Sequence, residues 1–357
     1  MPSFGNDYLA GCLPAILERL ADTNLEQTPG YGLDPYCESA RAKIRAAIGS
    51  ETADVHFLVG GTQTNATVIT HILRPHQSVI AAAEARIATH ETGAIEAGGH
   101  KVLALPSADG KLSARQVQDF IQQYYTGSNI KEHIVQPGMV YVSQPTELGT
   151  AYSHTELAAL AQVCRRHGLP LFVDGARLGY ALQPEVSDLT LPALAELADV
   201  FYIGGTKCGA LFGEAVVITN DAYQPHFRAS MKQRGGLLAK GRLLGIQFDT
   251  LFTDNLYQTI CHGAIAHARR IRQAFEARGI RFYGASTTNQ QFPILPEAQA
   301  DYFIREFGFA AYWPAEHGWQ IVRYCTSWAT TERDVSALLR AIESLSPSEN
   351  KDESTQK

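Results

Sequence analysis

Short, solidly apolar runs alternate along this chain with longer stretches in which apolar residues return every three or four positions. The solid runs predict strands buried on both faces, over 55–59, 79–82, 101–106, 139–143, 171–174 and 200–203. The spaced stretches predict helices over about 14–23, 36–49, 62–73, 113–125 and 154–167. In the last of these, Leu157, Leu160, Ala161 and Cys164 share one helical face. Alternation of this kind predicts right-handed crossovers and a mostly parallel sheet. The run at 214–219 follows 200–203 too closely for a crossover and predicts an antiparallel return.

Past residue 220 the pattern changes. Residues 221–250 are basic, glycine-bearing and moderately helical. The stretch from Lys232 to Arg242 is either a solvated basic face or an approach to phosphate across a subunit interface. A helical stretch over 252–279 leads to a second region. That region has strand candidates at 281–284, 290–295 and 318–328, and helices at 297–307 and 332–344. Thr331 and Asp334 have the spacing of a capping box, and Val335, Leu338, Leu339 and Ile342 form the face behind it. The expected class is α/β: an N-terminal arm and large domain over 1–250, a smaller C-terminal α+β domain over 251–345, and a disordered polar tail over 346–357.

The 357 residues are 45% hydrophobic with a net charge of −6, which gives no reason to expect nucleic acid. No apolar stretch approaches a membrane span, and the N-terminus lacks the basic start and apolar core of a secretory signal. The six cysteines are scattered without CxxC spacing. They read as reduced thiols in a cytoplasmic protein, with no disulfide scaffold and no metal site. His71 and His76 come nearest to a cluster and lack a third ligand at useful spacing.

Chemistry-bearing residues gather where strands end. Gly60, Gly61 and Thr62 follow the first strand and open a helix, with Thr62 as its expected cap. The first N–H groups there, with the Thr62 hydroxyl, either simply begin a helix or hold a phosphate. Asp174 ends another strand. Gly204, Gly205, Thr206 and Lys207 end a third, the glycines permitting a tight turn. Lys207 alone reads as well as a surface charge. An anion cradle, a strand-end aspartate and a strand-end lysine together suit pyridoxal 5'-phosphate. Arg86, His90 and Glu91 follow a further strand, at a chain distance suited to meeting that cofactor. Arg323 sits between apolar neighbours in the last strand and needs a partner, either a structural carboxylate or that of an amino acid. Tyr31 lies in a glycine-flanked turn, either an exposed loop or one that holds the ring against a ligand. A nicotinamide-binding reading lacks the GxGxxG order.

The order of these segments resembles the low-specificity L-threonine aldolases, of the beta-eliminating lyase group of fold-type-I pyridoxal-phosphate enzymes. The resemblance runs from Phe4 to about Leu339. It rests on Asn6 and Asp7 with Gly11 and Pro14, Tyr31 to Asp34, Gly60 to Asn65, Thr89 to Glu96, Asp174 to Arg177, Gly205 to Lys207, the 231–249 segment, and Arg323 to Thr331. It implies that Lys207 binds the cofactor aldehyde as a Schiff base and Asp174 pairs with the pyridine nitrogen. Gly61 and Thr62 would bind phosphate, Thr206 would lie beside the cofactor, and Arg177 would lie near the ring hydroxyl and the substrate. Arg323, with Asn6, would hold the substrate carboxylate, and Tyr31 would line the pocket from a neighbouring subunit. The implied reaction is aldol cleavage of a β-hydroxy-α-amino acid to glycine and an aldehyde, in a homodimer or homotetramer with shared active sites. Family aldolases carry a stacking histidine where this chain has Arg86. A guanidinium can also stack on a ring, but it stays protonated and makes a poor base. The substitution keeps open an amino-acid racemase or β-eliminating lyase. A binding protein that retains the fold without catalysis is the non-enzyme alternative.

Overall fold

The solid apolar runs come together as one seven-stranded sheet. A computed structural model describes residues 2–126, 131–314 and 316–345. Its strands are β1 (Asp54–Leu58), β2 (Gln77–Ala82), β3 (Val102–Leu105), β4 (Gln136–Ser143), β5 (Leu171–Asp174), β6 (Val200–Gly204) and β7 (Glu214–Ile218). Their spatial order is β1-β7-β6-β5-β4-β2-β3. The pairs β6–β5, β5–β4, β4–β2 and β2–β3 are parallel, and β7 is antiparallel to both its neighbours. The C-terminal ends of β1, β2, β4, β5 and β6 therefore share one edge, where open α/β sheets bind ligands.

Two glycines let the middle of that edge close. A Cβ on Gly175 would lie 1.9 Å from the Tyr202 carbonyl oxygen, and one on Gly204 would lie 2.3 Å from that of Ala176. The Gly204 N–H donates to the Gly175 carbonyl at 2.9 Å. Gly204 is thus required for close approach between β5 and β6. The turn itself begins at Gly205 and includes Gly209 and Gly213, whose φ values are 94° and 120°.

The long helices start and stop within two residues of their expected bounds, at Pro14–Asp22, Pro35–Ile48, Gly61–Ile72, Ala114–Thr126 and His154–His167. Asp34 caps the second, and Ser153 with Glu156 forms a capping box on the fifth. Residues 221–250 contain two helices, Phe227–Gln233 and Arg242–Leu251. Thr62 is not the cap expected of it. The helix begins one residue earlier, its N-cap is Gly60, and no side chain caps it. The strand candidate at 281–284 reduces to one bridge, Phe282 to Pro293, because Gly279 and Gly284, with φ of 76° and 66°, bend the chain on either side. The run at 290–295 divides into β8 (Gln290–Gln291) and β9 (Ile294–Pro296) around Pro293, which has no N–H for the ladder. The tail from 346 lies outside the described residues.

The second region places β10 (Ala310–Ala311) and β11 (Trp319–Cys325) with β8 and β9, antiparallel throughout, β11 pairing with all three. Helices Glu297–Phe307 and Glu332–Glu343 complete it, the latter with the expected Thr331–Asp334 capping box. Helix Leu256–Glu276 joins the two regions. Tyr257, Cys261, Ala264 and Ile265 belong to the hydrophobic core around the large sheet, and Ile271 and Phe275 to the second core. The N-terminal arm also enters that second core. Phe4 is buried there, its N–H bonded to the Phe307 carbonyl and its carbonyl to the Cys325 N–H, at 2.8 and 2.7 Å.

Phe4→Ala should therefore cost about 3 kcal/mol of stability through lost transfer energy and a residual cavity, seen as a lower denaturation midpoint. A midpoint equal to that of the unaltered chain would show that the arm is not part of this core.

Candidate active site

The shared edge of strand ends carries a buried group of charges. Asp174, at the end of β5, is 3% exposed. The Tyr202 hydroxyl and the Ala176 N–H donate to its Oδ1 at 2.5 and 2.9 Å. Asn65 Nδ2 donates to Oδ2 at 3.1 Å, and the Tyr141 hydroxyl donates to the same oxygen. Among the described residues no cation forms an ion pair with it. Four donors from four segments thus hold a carboxylate whose charge is not neutralised.

Lys207 follows β6 and is 8% exposed. Among the described residues its amine has no ion pair within 4.0 Å. Burial first, and then the charges of Arg177 and Arg86, lower its pKa to about 8, against the opposing effects of Asp7 and Glu214. Its carbonyl accepts the Tyr180 hydroxyl at 2.7 Å, which anchors the backbone.

The helix end at Gly61 and Thr62 has no side-chain cap, so its first N–H groups are open to an anion. A Cβ on Gly61 would lie 3.1 Å from the Tyr202 hydroxyl, so glycine keeps this approach clear. The Thr62 hydroxyl acts on Glu91, opposing the rise in its pKa. Glu91 Oε1 accepts Asn65 Nδ2 at 3.0 Å, so Asn65 bridges Glu91 and Asp174. Burial and the Asp174 charge push Glu91 up to about 7. Arg86 opens a four-residue helix, Arg86–Thr89. Its N–H donates to Glu147 at 2.9 Å, and its Nε lies 3.7 Å from Glu91. Glu147 also accepts the Ser143 hydroxyl at 2.8 Å and is shifted upward, chiefly by burial. His90 is exposed and bonded to Thr89.

Arg177 and Asp7 form a buried two-pronged pair at 2.6 and 3.0 Å. Burial alone would raise Asp7, but the Arg177 and Lys207 charges hold it below the usual carboxylate range. Arg177 thus already has a carboxylate partner from the arm. Arg323 has none. Its guanidinium donates only to neutral oxygens: Asn6 Oδ1 at 2.5 Å, the Gly5 carbonyl at 3.0 Å and Gln290 Oε1 at 3.3 Å. Its Nε is buried and unpartnered. Among the described residues the structural salt bridge considered for it is not present, and a donor is left open to a ligand carboxylate. The donor set fits pyridoxal phosphate and an amino acid: an open helix end, an unneutralised aspartate, a lysine of lowered proton affinity and an arginine lacking its anion.

Two expected residues lie elsewhere or are otherwise engaged. The Thr206 hydroxyl donates to Glu214 at 2.9 Å and accepts the Gly213 N–H at 3.0 Å. Tyr31, 43% exposed, bonds through its backbone to Ala239 and Arg228, with the Lys232 amine 4.9 Å from its ring centre. Among the described residues no hydrogen bond or ion pair joins it to the Asp174–Lys207 group of its own chain. Sequence reasoning gave no role to Asn65, Tyr141, Tyr202, Asp7, Glu147 or Glu214. The available signal was a polar or hydroxyl-bearing residue inside, or directly after, a solidly apolar run.

The sequence profile of the Beta-eliminating lyase family matches residues 4–345. A threonine aldolase of Leishmania major has a solved structure that superposes with a TM-score of 0.93 at 44% identity, covering 96% of this chain and 99% of that one. A low specificity L-threonine aldolase of Pseudomonas sp. (strain NCIMB 10558) is 28% identical over 350 residues, 95% of this chain and 97% of the relative. A putative L-allo-threonine aldolase of Listeria monocytogenes, with a TM-score of 0.70 at 17% identity over 92% of each chain, shares the fold. The profile spans nearly all of the described residues, including those that build the strand-end site, and the chain belongs to the beta-eliminating lyase family.

Proposed function

We propose that this chain is a pyridoxal-phosphate-dependent carbon–carbon lyase. It cleaves a β-hydroxy-α-amino acid of the L-threonine or L-allo-threonine kind to glycine and an aldehyde. One observation carries the reading: among the described residues Lys207 and Asp174 both lack an ion-pair partner, and Arg323 beside the arm lacks an anion. The close relation to the Leishmania major threonine aldolase supports the choice of reaction.

The chemistry that pyridoxal phosphate would supply at this edge is an electron sink for the bond broken at the substrate α carbon. The chain's own residues prepare for that. The open N–H groups at Gly61 and Thr62 hold the phosphate. Asp174, held in place by hydrogen bonds from Tyr141, Tyr202 and Asn65, would pair with the pyridine nitrogen and hold a proton on it. Lys207 would supply the amine for the cofactor aldehyde, and a pKa of about 8 leaves part of it unprotonated near neutrality. Arg323 receives the substrate carboxylate, with Asn6 fixing the guanidinium. Arg86, tethered to Glu147 and near Glu91, would stand against the ring.

The chain functions as a homodimer or homotetramer with active sites shared between subunits. Support comes from exposed apolar side chains such as Leu9, Leu17, Leu25, Tyr31 and Leu33, crowded into the first 33 residues, together with Leu211. Its location is cytoplasmic, a reading supported by six unpaired, buried thiols. Among the described residues no helix is long and apolar enough to cross a membrane.

Four outcomes test these statements. Purified with pyridoxal phosphate, the protein should show a visible absorbance band and release glycine from L-threonine or L-allo-threonine; α-proton exchange without glycine would overturn the aldolase reading. Arg323→Ala should lower kcat/KM about 100-fold, mostly through KM, the scale expected for losing a charge-paired contact. Light scattering should give at least twice the chain mass. Lys207→Met should abolish the visible band yet raise the melting temperature of the cofactor-free protein at pH 7. The sign follows from linkage: the folded chain binds this proton less well than the unfolded chain, so the group destabilises below pH 8, and its cost vanishes as pH rises toward the ordinary 10.5. The advantage of Lys207→Met should shrink over that range.

A further inference from the structure

Glu214 is a buried acid for which the reaction as described has no use. It opens β7 opposite Gly204, the last residue of β6. Its side chain lies against the connection between the two strands. Oε2 accepts the Gly205 N–H at 3.1 Å, and Oε1 accepts the Thr206 hydroxyl at 2.9 Å. That hydroxyl in turn accepts the Gly213 N–H at 3.0 Å, which closes the loop. The carboxylate therefore grips the two residues immediately before Lys207.

A neutral amide could keep both contacts without the cost of burying a charge, its oxygen accepting the Gly205 N–H and its NH2 donating to the Thr206 hydroxyl in place of the bond that hydroxyl now donates. The charge is what needs explaining. Among the described residues no cation forms an ion pair with Glu214, and the charged groups acting on it are Lys207 and Asp174. Lys207 is acted on by four groups: Arg177 and Arg86 oppose its proton, while Asp7 and Glu214 favour it. Asp7 is already bound by both oxygens to Arg177. Glu214 is the anion in this set whose charge is not taken up by an arginine.

We propose that Glu214 is a positioning residue for Lys207, fixing the Gly205–Thr206 backbone and supplying the uncompensated negative charge that lets the lysine nitrogen keep a proton. The proposal rests on Lys207 being the cofactor-binding lysine. Burial pushes the Glu214 carboxyl up to about 7, against the Lys207 charge. The influence of Glu214 therefore switches on as pH rises through neutrality, and the two groups titrate as a linked pair.

The test is a pH titration of the visible absorbance of the full chain loaded with pyridoxal phosphate. Glu214→Gln keeps the shape and removes the charge. Its midpoint should fall by about 1 pH unit, the scale of losing a nearby opposite charge. Thr206→Val, which breaks the hydroxyl link but leaves the carboxyl in place, should move the midpoint by clearly less. An unchanged midpoint in Glu214→Gln overturns the proposal, as does an equal shift in Thr206→Val. If Glu214→Gln does not fold, Glu214→Ala should lower the midpoint as well, and a failure to do so has the same meaning. Acetic anhydride labelling of Lys207 in the cofactor-free chain, read by peptide mass spectrometry across pH, separates this proposal from the cofactor reading. A lowered labelling midpoint in Glu214→Gln supports the electrostatic role even if the unaltered chain forms no visible band, a result that would instead overturn the function proposed above.

Discussion

A carboxylate buried with no counterion among the described residues is the constraint on which this site depends. Burying the Asp174 carboxyl is tolerable because Tyr141, Tyr202, Asn65 and the Ala176 N–H all donate to it. These donors come from β4, β6, the helix after β1 and the turn after β5. Their convergence requires the strand order that sets β4, β5 and β6 side by side. It also requires glycine at 175 and 204, where the two strand ends approach too closely for a side chain. The fold thus creates a fixed negative charge at a strand end that a protonated ring nitrogen can answer.

Around that charge the site divides its parts between two hydrophobic cores. Asp174, Lys207 and the open helix end stand on the large sheet. Arg323 comes from β11, which packs in the second core. The arm ties them together. Phe4 is buried in the second core, Gly5 and Asn6 hold Arg323, and Asp7 pairs with Arg177 at the large sheet. Four consecutive residues thereby set the distance between the lysine side and the carboxylate side of the crevice. A shift of the arm would reach both sides at once, which explains why a segment with so little secondary structure is so deeply engaged.

The sequence made most of this architecture legible, because solid apolar runs and 3.6-residue periodicity are strong signals where both faces of a sheet are covered. Lys207, Asp174 and the glycine-led helix stood out as polar residues at the ends of such runs. The short helices Arg86–Thr89, Ala94–Ala97, Leu178–Ala181 and Leu191–Leu197 did not, since one or two turns carry too few positions to show a period. Thr62 was read as a cap because threonine is a good one; Gly60, extended and without a side chain, took that place. Tyr141 and Tyr202 were hidden for another reason. Inside apolar strands a tyrosine reads as one more core ring, and only the fold shows that both hydroxyls meet at the same carboxylate. Glu214 was obscured similarly, as the first letter of a strand.

The same physics explains why the site holds so many displaced acid–base equilibria. Glu91 and Glu214 are both pushed up to about 7, and Lys207 is lowered to about 8, in each case first by burial. Three groups that change charge near neutrality within one crevice are costly to a folded chain, since each is held where its ionised form is poorly solvated. Structure alone does not require them. Asp249, held by Lys43 and Arg19 on the far side of helix Pro35–Ile48, shows how this chain stabilises a carboxylate when stability is the only demand: direct ion pairs at 2.7 and 2.6 Å and a lowered pKa. At the strand ends the chain does the opposite and leaves Asp174, Lys207 and Arg323 without ion-pair partners among the described residues. The cost is recovered only when a ligand brings the missing charges: an anion for the helix end, a cation for Asp174 and a carboxylate for Arg323.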